Sequence, residues 1–247
     1  MLRSANGILG HSLHGADGRL GKLHDIAFDD ETWTVRYIIV DTGGWLTGRQ
    51  VLISPVAFGR PDWQKKQIPV SLTKQQVENS PPISADETVA RKMEAALQEY
   101  YGWPAYWAYP PAGTGAYAPI PRRPGTARGA AHVFEVEKET HLRSVREVAG
   151  YSIEAEGGFI GHVEDFIIDD DAWAIRYLEV NTRTWLMGRK VLVAPTWIRK
   201  VSWLDRKVCV SLSKEAIRNA PTYDPSQPIT REYEERLHAY YEKPVYW

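Results

Sequence analysis

The run WTVRYIIVD (Trp33–Asp41) and its counterpart WAIRYLEVN (Trp173–Asn181) decide the fold class. β-Branched and aromatic residues crowd both runs, and a turn of acidic residues precedes each, Asp29–Thr32 and Asp169–Ala172. That composition predicts the second strand of a hairpin, with Leu20–Phe28 as the first strand in the earlier run. Working outward, Gly15–Gly18 and Gly43–Gly44 mark further turns, and Leu9–Leu13, Val51–Ile53 and Gln67–Leu72 read as short strands. Short strands with turn signals at this spacing predict a small barrel. Thr73–Asn79 reads as one or two helical turns. Ser84 and Glu87 form a capping-box pattern ahead of a helix over Thr88–Tyr101.

The two runs belong to a longer duplication. A shift of 140 residues aligns Ser4–Trp107 with Ser144–Trp247 without a gap, and 35 of the 104 positions are identical. One register held over that length marks a duplicated unit. The expected organisation is a first repeat over residues 1–107, a Pro/Gly-rich linker over 108–140 and a second repeat over 141–247. The expected fold is mainly β: two tandem antiparallel barrels, each followed by short helices.

Taking Asp29–Thr32 as the hairpin loop predicts that Asp25 faces Arg36, and in the second repeat that Asp165 faces Arg176. Opposite charges across a strand pair read as register-fixing salt bridges. Both faces of the predicted hairpin are substantially apolar, whereas a sheet wet on one side alternates cleanly. The outer face therefore needs a cover: the tail, the other repeat or another chain.

The runs G-x-S-L/I-x4-G-x-L/I-G-x-L/V-x-D, DD-x-x-W-x-V/I-R-Y-x-x-V-x-T and W-L-x-G-R-x-V-L, read at Gly10–Leu52 and Gly150–Leu192, resemble the PRC-barrel family. The resemblance implies small, roughly six-stranded barrels. It implies relatives in the cytoplasmic part of the photosynthetic reaction-centre H subunit and in a ribosome maturation factor. These are adaptor and assembly modules rather than enzymes.

Composition narrows the function. Thirty basic residues against 31 acidic leave a net charge of −1, so nucleic acid is not the expected partner. The single cysteine, Cys209, reads as a half-buried thiol, and no apolar run approaches a membrane span. A cytoplasmic location follows as an expectation. The acidic turns Asp29–Glu31 and Asp169–Asp171 supply too few oxygens for a calcium loop. The seven histidines do not recur at matching positions, though His11, His14 and His24 can gather near the first hairpins. No metal, cofactor or catalytic residue is expected.

Ten Trp and 13 Tyr against five Phe favour rings with a polar edge. The expected interaction surface comprises Trp33, Tyr37, Trp173 and Tyr177 on the strands. From the tails it takes Tyr100, Tyr101, Tyr106 and Trp107 in one repeat and Tyr240, Tyr241, Tyr246 and Trp247 in the other. The partner expected for it is a protein, with a homodimer as one option. A small-ligand or metabolite sensor using the groove between the barrels is the alternative.

Overall fold

A computed structural model describes residues 1–82, 91–104, 141–182 and 189–247. The first half comprises β1 (Leu2–Ser4), α1 (Ala5–Ile8), β2 (Ser12–Gly15), β3 (Gly18–Asp29), β4 (Val35–Asp41), β5 (Gln50–Ile53), β6 (Gln67–Pro69), α2 (Lys74–Glu78) and α3 (Arg91–Tyr101). The second comprises β7 (Leu142–Ser144), α4 (Val145–Val148), β8 (Ser152–Glu156), β9 (Gly158–Asp169), β10 (Ala174–Asn181), β11 (Lys190–Val193), β12 (Ile198–Ser202), β13 (Lys207–Ser213), α5 (Lys214–Asn219) and α6 (Arg231–Tyr240). The expected capping box at Ser84 and the linker over 108–140 lie outside the described residues.

The fold is mainly β, in two sheets. One runs β5-β4-β3-β2-β6 with β7 added to β3; the other runs β11-β10-β9-β8-β13-β12 with β1 added to β9. Both sheets are mixed rather than purely antiparallel, because β2 pairs with β6 and β8 with β13 in parallel. Among the described residues neither strand order closes into a complete barrel.

Each half lends a strand to the other. Ser4 of β1 pairs with Ile167 of β9, and Ser144 of β7 pairs with Ala27 of β3, so the two exchanges share one register at the 140-residue offset. At the centre, the Val35 amide donates to the Trp173 carbonyl at 2.7 Å and the Ile175 amide donates to the Trp33 carbonyl at 2.8 Å. The reciprocity is that of an isologous dimer interface, realised inside one chain. Phe28 and Phe166 meet there at 5.8 Å between ring centroids.

The hairpin register differs from the expected one. Asp25 faces Ile39 and Ile26 faces Ile38 in β3–β4; Asp165 faces Glu179 in β9–β10. The predicted pairs Asp25–Arg36 and Asp165–Arg176 are thereby corrected. The cause is local: a bulge between Ala27 and Phe28 and a left-handed Trp33 (φ 55°) lengthen the turn. In the second half a bulge between Ile175 and Tyr177 and Trp173 at φ 48° act likewise. Arg36 Nη2 instead lies 3.6 Å from Asp29 Oδ2, and Arg176 Nη2 lies 3.0 Å from Asp169 Oδ2.

The outer face of the first sheet is covered as its apolar character requires. Ala27, Tyr37 and Leu52 pack with Leu97 of α3 and with Leu142 of β7. Tail and second half therefore both supply the cover. Gly21 and Gly161 occupy matching positions where β3 and β9 pass close to a neighbouring strand. A Cβ there would approach the carbonyl oxygens of Asp41 and Asn181 to 2.3 and 2.1 Å, which only glycine avoids.

Candidate functional site

Among the described residues, four local arrangements carry polar chemistry: the junction between the halves, a buried cluster under the second tail, Lys190 with two glutamates, and a cleft lined by both halves.

At the junction, Asp25 and Asp165 each receive the start of the other half's first helix. The Ser144 hydroxyl donates to Asp25 and the Ser4 hydroxyl donates to Asp165. Backbone amides of Arg146 and Asn6 donate to the same carboxylates at 3.3 and 3.1 Å. Ser4 and Ser144 simultaneously cap α1 and α4 by accepting from the amides of Gly7 and Glu147. Burial pushes the Asp165 carboxyl up despite these donors. A second reciprocal pair flanks this one. Arg3 donates to Asp170 at 2.5 Å while its guanidinium lies 4.2 Å above Trp63; Arg143 donates to Asp30 at 3.2 Å and lies 4.5 Å above Trp203.

Under the second tail, α6 lays Glu234 and His238, one turn apart, over Tyr177 of β10. The Tyr177 hydroxyl lies 3.0 Å from both Glu234 Oε1 and His238 Nε2. Tyr246 donates to Glu234 Oε1 at 2.7 Å, and His238 Nδ1 lies 2.8 Å from the Pro244 carbonyl. Trp197 fills the space behind, 5.1 Å from the His238 ring and 5.0 Å from that of Tyr241. Burial and the Glu234 charge push the Tyr177 hydroxyl far above its usual range, so it is held neutral. In the first half Gln98 takes the place of His238, with its amide nitrogen 3.5 Å from the Tyr37 hydroxyl.

The second half also holds a buried charge that the first lacks. Lys190 Nζ lies 2.6 Å from Glu179 and 2.9 Å from Glu164, where the first half has Gln50, Ile39 and His24. Burial pushes the Glu179 carboxyl up, with Lys190 opposing. A carboxyl raised in the folded state binds its proton more tightly there, so its contribution to stability is fullest in acid and is lost as pH rises through the folded value. Wild type is therefore expected to gain stability relative to Glu179→Gln as pH falls from about 7 to about 4, measured by urea unfolding at each pH. A difference that stays constant or narrows contradicts this account of Glu179.

The cleft encloses about 630 Å³ between the halves. Asp30–Trp33, His141, Arg176, Ile198–Val201, Trp203, His238 and Pro244–Tyr246 of the tail line it. Its lining carries both signs of charge, Asp30 and Glu31 beside Arg176, Arg199 and Lys200.

The geometry sorts the expected surface residues. Trp33 and Trp173 lie buried at the junction, and Tyr37 and Tyr177 lie buried beneath the tails. These four are interior residues rather than a surface for an outside protein, because strand exchange and helix packing cover the faces that carry them. Tyr241 is buried, and Tyr101 and Tyr246 are half-buried. Tyr100 (41%), Tyr240 (39%) and Trp247 (47%) remain exposed. Tyr106 and Trp107 lie outside the described residues. His11 packs 5.7 Å from Trp63 and His14 lies 3.1 Å from the Ser12 hydroxyl. Among the described residues, three metal-type ligands converge at Asp169, Asp170 and Asp171, where Arg176 and Arg3 already meet the carboxylates of Asp169 and Asp170.

The segment from β2 to α2 carries the signature that relates this chain to known proteins. Residues 13–75 match the PRC-barrel domain. The match spans the hairpin and the edge strands β5 and β6 of the first sheet, and stops short of α3. A protein of Deinococcus radiodurans, described as uncharacterized, is 35% identical over 86 residues, covering 34% of this chain and 31% of that protein. The chain thus spans about a third of that relative's length. Among the described residues no helix is long and apolar enough to cross a membrane.

Sequence reading passed over Trp197, Glu234 and His238. Trp197 stands where the first half has Ala57, and His238 where it has Gln98. The signal available was the contrast between otherwise matching positions: each substitution adds a ring under the tail.

Proposed function

We propose that the chain is a non-enzymatic adaptor of two PRC-type modules, the second formed by residues 141–247, which binds another protein through the tail ends. The internal repeat supports a second module of the same kind. The PRC-barrel segment supports an interaction or assembly role, in line with the resemblance to the reaction-centre H subunit's cytoplasmic part.

One observation carries the reading. The two halves keep a tyrosine exposed at the same place, each anchored in the same way: Tyr100 donates to the Gln76 carbonyl and Tyr240 to the Ala216 carbonyl, both at 2.9 Å. Rings held rigid at the surface present contact area with little ordering cost, the character of interface anchors. Trp247 and Val245 are also exposed in the second half.

The test is capture by the full chain from lysate of its own source, beside a Tyr100→Ser, Tyr240→Ser, Trp247→Ser variant. The reading expects a stoichiometric protein retained by wild type and lost from the variant. Equal retention by both, or no stoichiometric protein on either, overturns it.

A small-ligand role is the second reading, favoured by the cleft, whose volume suits a metabolite and whose lining combines Trp33 and Trp203 with charged side chains of both signs. Native mass spectrometry of the purified chain checks it: a bound species displaced by Trp203→Ala supports this role, and an unliganded chain removes it.

A further inference from the structure

The contacts around Tyr177 fix a proton count. The Pro244 carbonyl only accepts, so His238 Nδ1 carries a hydrogen. The neutral Tyr177 hydroxyl has one proton to give and stands 3.0 Å from two would-be acceptors, Glu234 Oε1 and His238 Nε2. The Tyr246 hydroxyl spends its own proton on the same Glu234 oxygen. If Tyr177 donates to Glu234, the contact with His238 needs a proton on Nε2. If it donates to His238, the contact with Glu234 needs a proton on the carboxyl. With the Tyr177 hydroxyl donating to one acceptor at a time, the cluster holds one proton more than an ionised Glu234 and a neutral His238 would carry between them.

That proton also holds a segment of chain. Residues after α6 return across the cluster through three attachments: the Pro244 carbonyl on His238, the Tyr246 hydroxyl on Glu234, and the Trp247 ring 5.8 Å from His238 and 3.8 Å from the Arg231 guanidinium. Charged and titratable groups stand near His238 on several elements, and Lys243 follows it with its amide on the His238 carbonyl at 3.0 Å. β10 supplies Tyr177 and Arg176, which lies 4.2 Å over the Tyr246 ring; α6 supplies Glu234 and Arg231, 3.3 Å apart; Tyr241 follows α6 and Tyr246 faces from the tail. The turn Pro195–Trp197 contributes the Trp197 ring, and His141, Arg199 and Lys200 line the same cleft as His238.

We propose that Tyr177, Glu234, His238 and Tyr246 form a proton-operated latch that seats residues 242–247 against the second half, where Pro244–Tyr246 line the cleft. Loss of the shared proton leaves two acceptors facing each other across the Tyr177 oxygen, among side chains that are almost wholly buried. The least costly relief is release of the tail, which frees His238 and Glu234 to hydrate. At the place of His238 the first half has Gln98, whose amide donates without titrating.

The test is ¹⁹F NMR of the full chain labelled with 5-fluorotryptophan, with the Trp247 resonance identified from a Trp247→Phe sample. Raising pH from about 5 to about 9 should shift the seated-to-released ratio of Trp247 by about tenfold or more. In His238→Gln, which installs the first half's residue, the Trp247 resonance should not titrate. Should that variant fail to fold, Tyr177→Phe reads the same point, because it keeps the ring and removes the bridging hydroxyl. A wild-type Trp247 resonance that is constant over this range overturns the proposal, as does a titration unchanged in the variant.

Discussion

A chain carrying both Asp25→Ala and Asp165→Ala is expected to lose about 5 kcal/mol of stability, roughly half from each site, because hydrogen bonds to charged acceptors contribute about 1.5–3 kcal/mol and buried donors left unpaired cost about 1–3. Each carboxylate accepts from a serine and a backbone amide of the other half, and from the amide of its own next residue, Ile26 or Phe166, at 2.7 Å. Truncation strands all three donors at each site. The raised Asp165 carboxyl shows that its burial carries a cost, and this holds the expected loss below the sum of the bonds. Urea unfolding followed by Trp fluorescence measures the loss. A double variant within about 1 kcal/mol of wild type would mean that these carboxylates do not anchor the exchange.

The second large effect is expected at Trp197. Its ring is almost wholly buried between Tyr177, His238 and Tyr241. Truncating a buried Trp to Ala removes its transfer energy and leaves a cavity, so Trp197→Ala should cost about 4 kcal/mol. The same change should loosen α6 more than the junction, because the indole packs against side chains on and beneath that helix. Hydrogen exchange resolves the two: amides of Arg231–Tyr240 should lose protection while β1 and β7 keep theirs. A loss of less than about 1.5 kcal/mol, or equal deprotection of the junction strands, contradicts this assignment.

The repeat and the β character were plain in the sequence, because strand composition and a gapless offset are both visible in one dimension. WTVRYIIVD reads as a strand whatever it pairs with. The pairing itself was less legible. One bulge at Ala27–Phe28 and one left-handed Trp33 moved the register off the simple loop count, and neither leaves a mark in residue type. Strand exchange was hidden for another reason. Leu2–Ser4 and Leu142–Ser144 are three residues each, and nothing in LRS says which half's sheet it joins. The identity of Ser4 with Ser144 and of Asp25 with Asp165 was in view, but Arg36 and Arg176 read as the natural charge partners.

The candidate site followed the same division. Two apolar faces on one hairpin implied a cover, and α3, α6 and the exchanged strands provide it. That burial withdrew Trp33, Tyr37, Trp173 and Tyr177 from the surface and left Tyr100, Tyr240 and Trp247. The latch residues stayed unread because their meaning lies in a proton count that only the assembled geometry defines.

The central claim is that the two halves form one body through reciprocal strand exchange. The most direct measurement inserts a specific protease site into the Pro- and Gly-rich stretch Ala108–Ala130, cuts the purified chain there and follows it by size-exclusion chromatography with light scattering. The account predicts that the cut halves stay together and elute with the mass of the uncut chain. Halves that separate on cutting, each remaining folded, would contradict it.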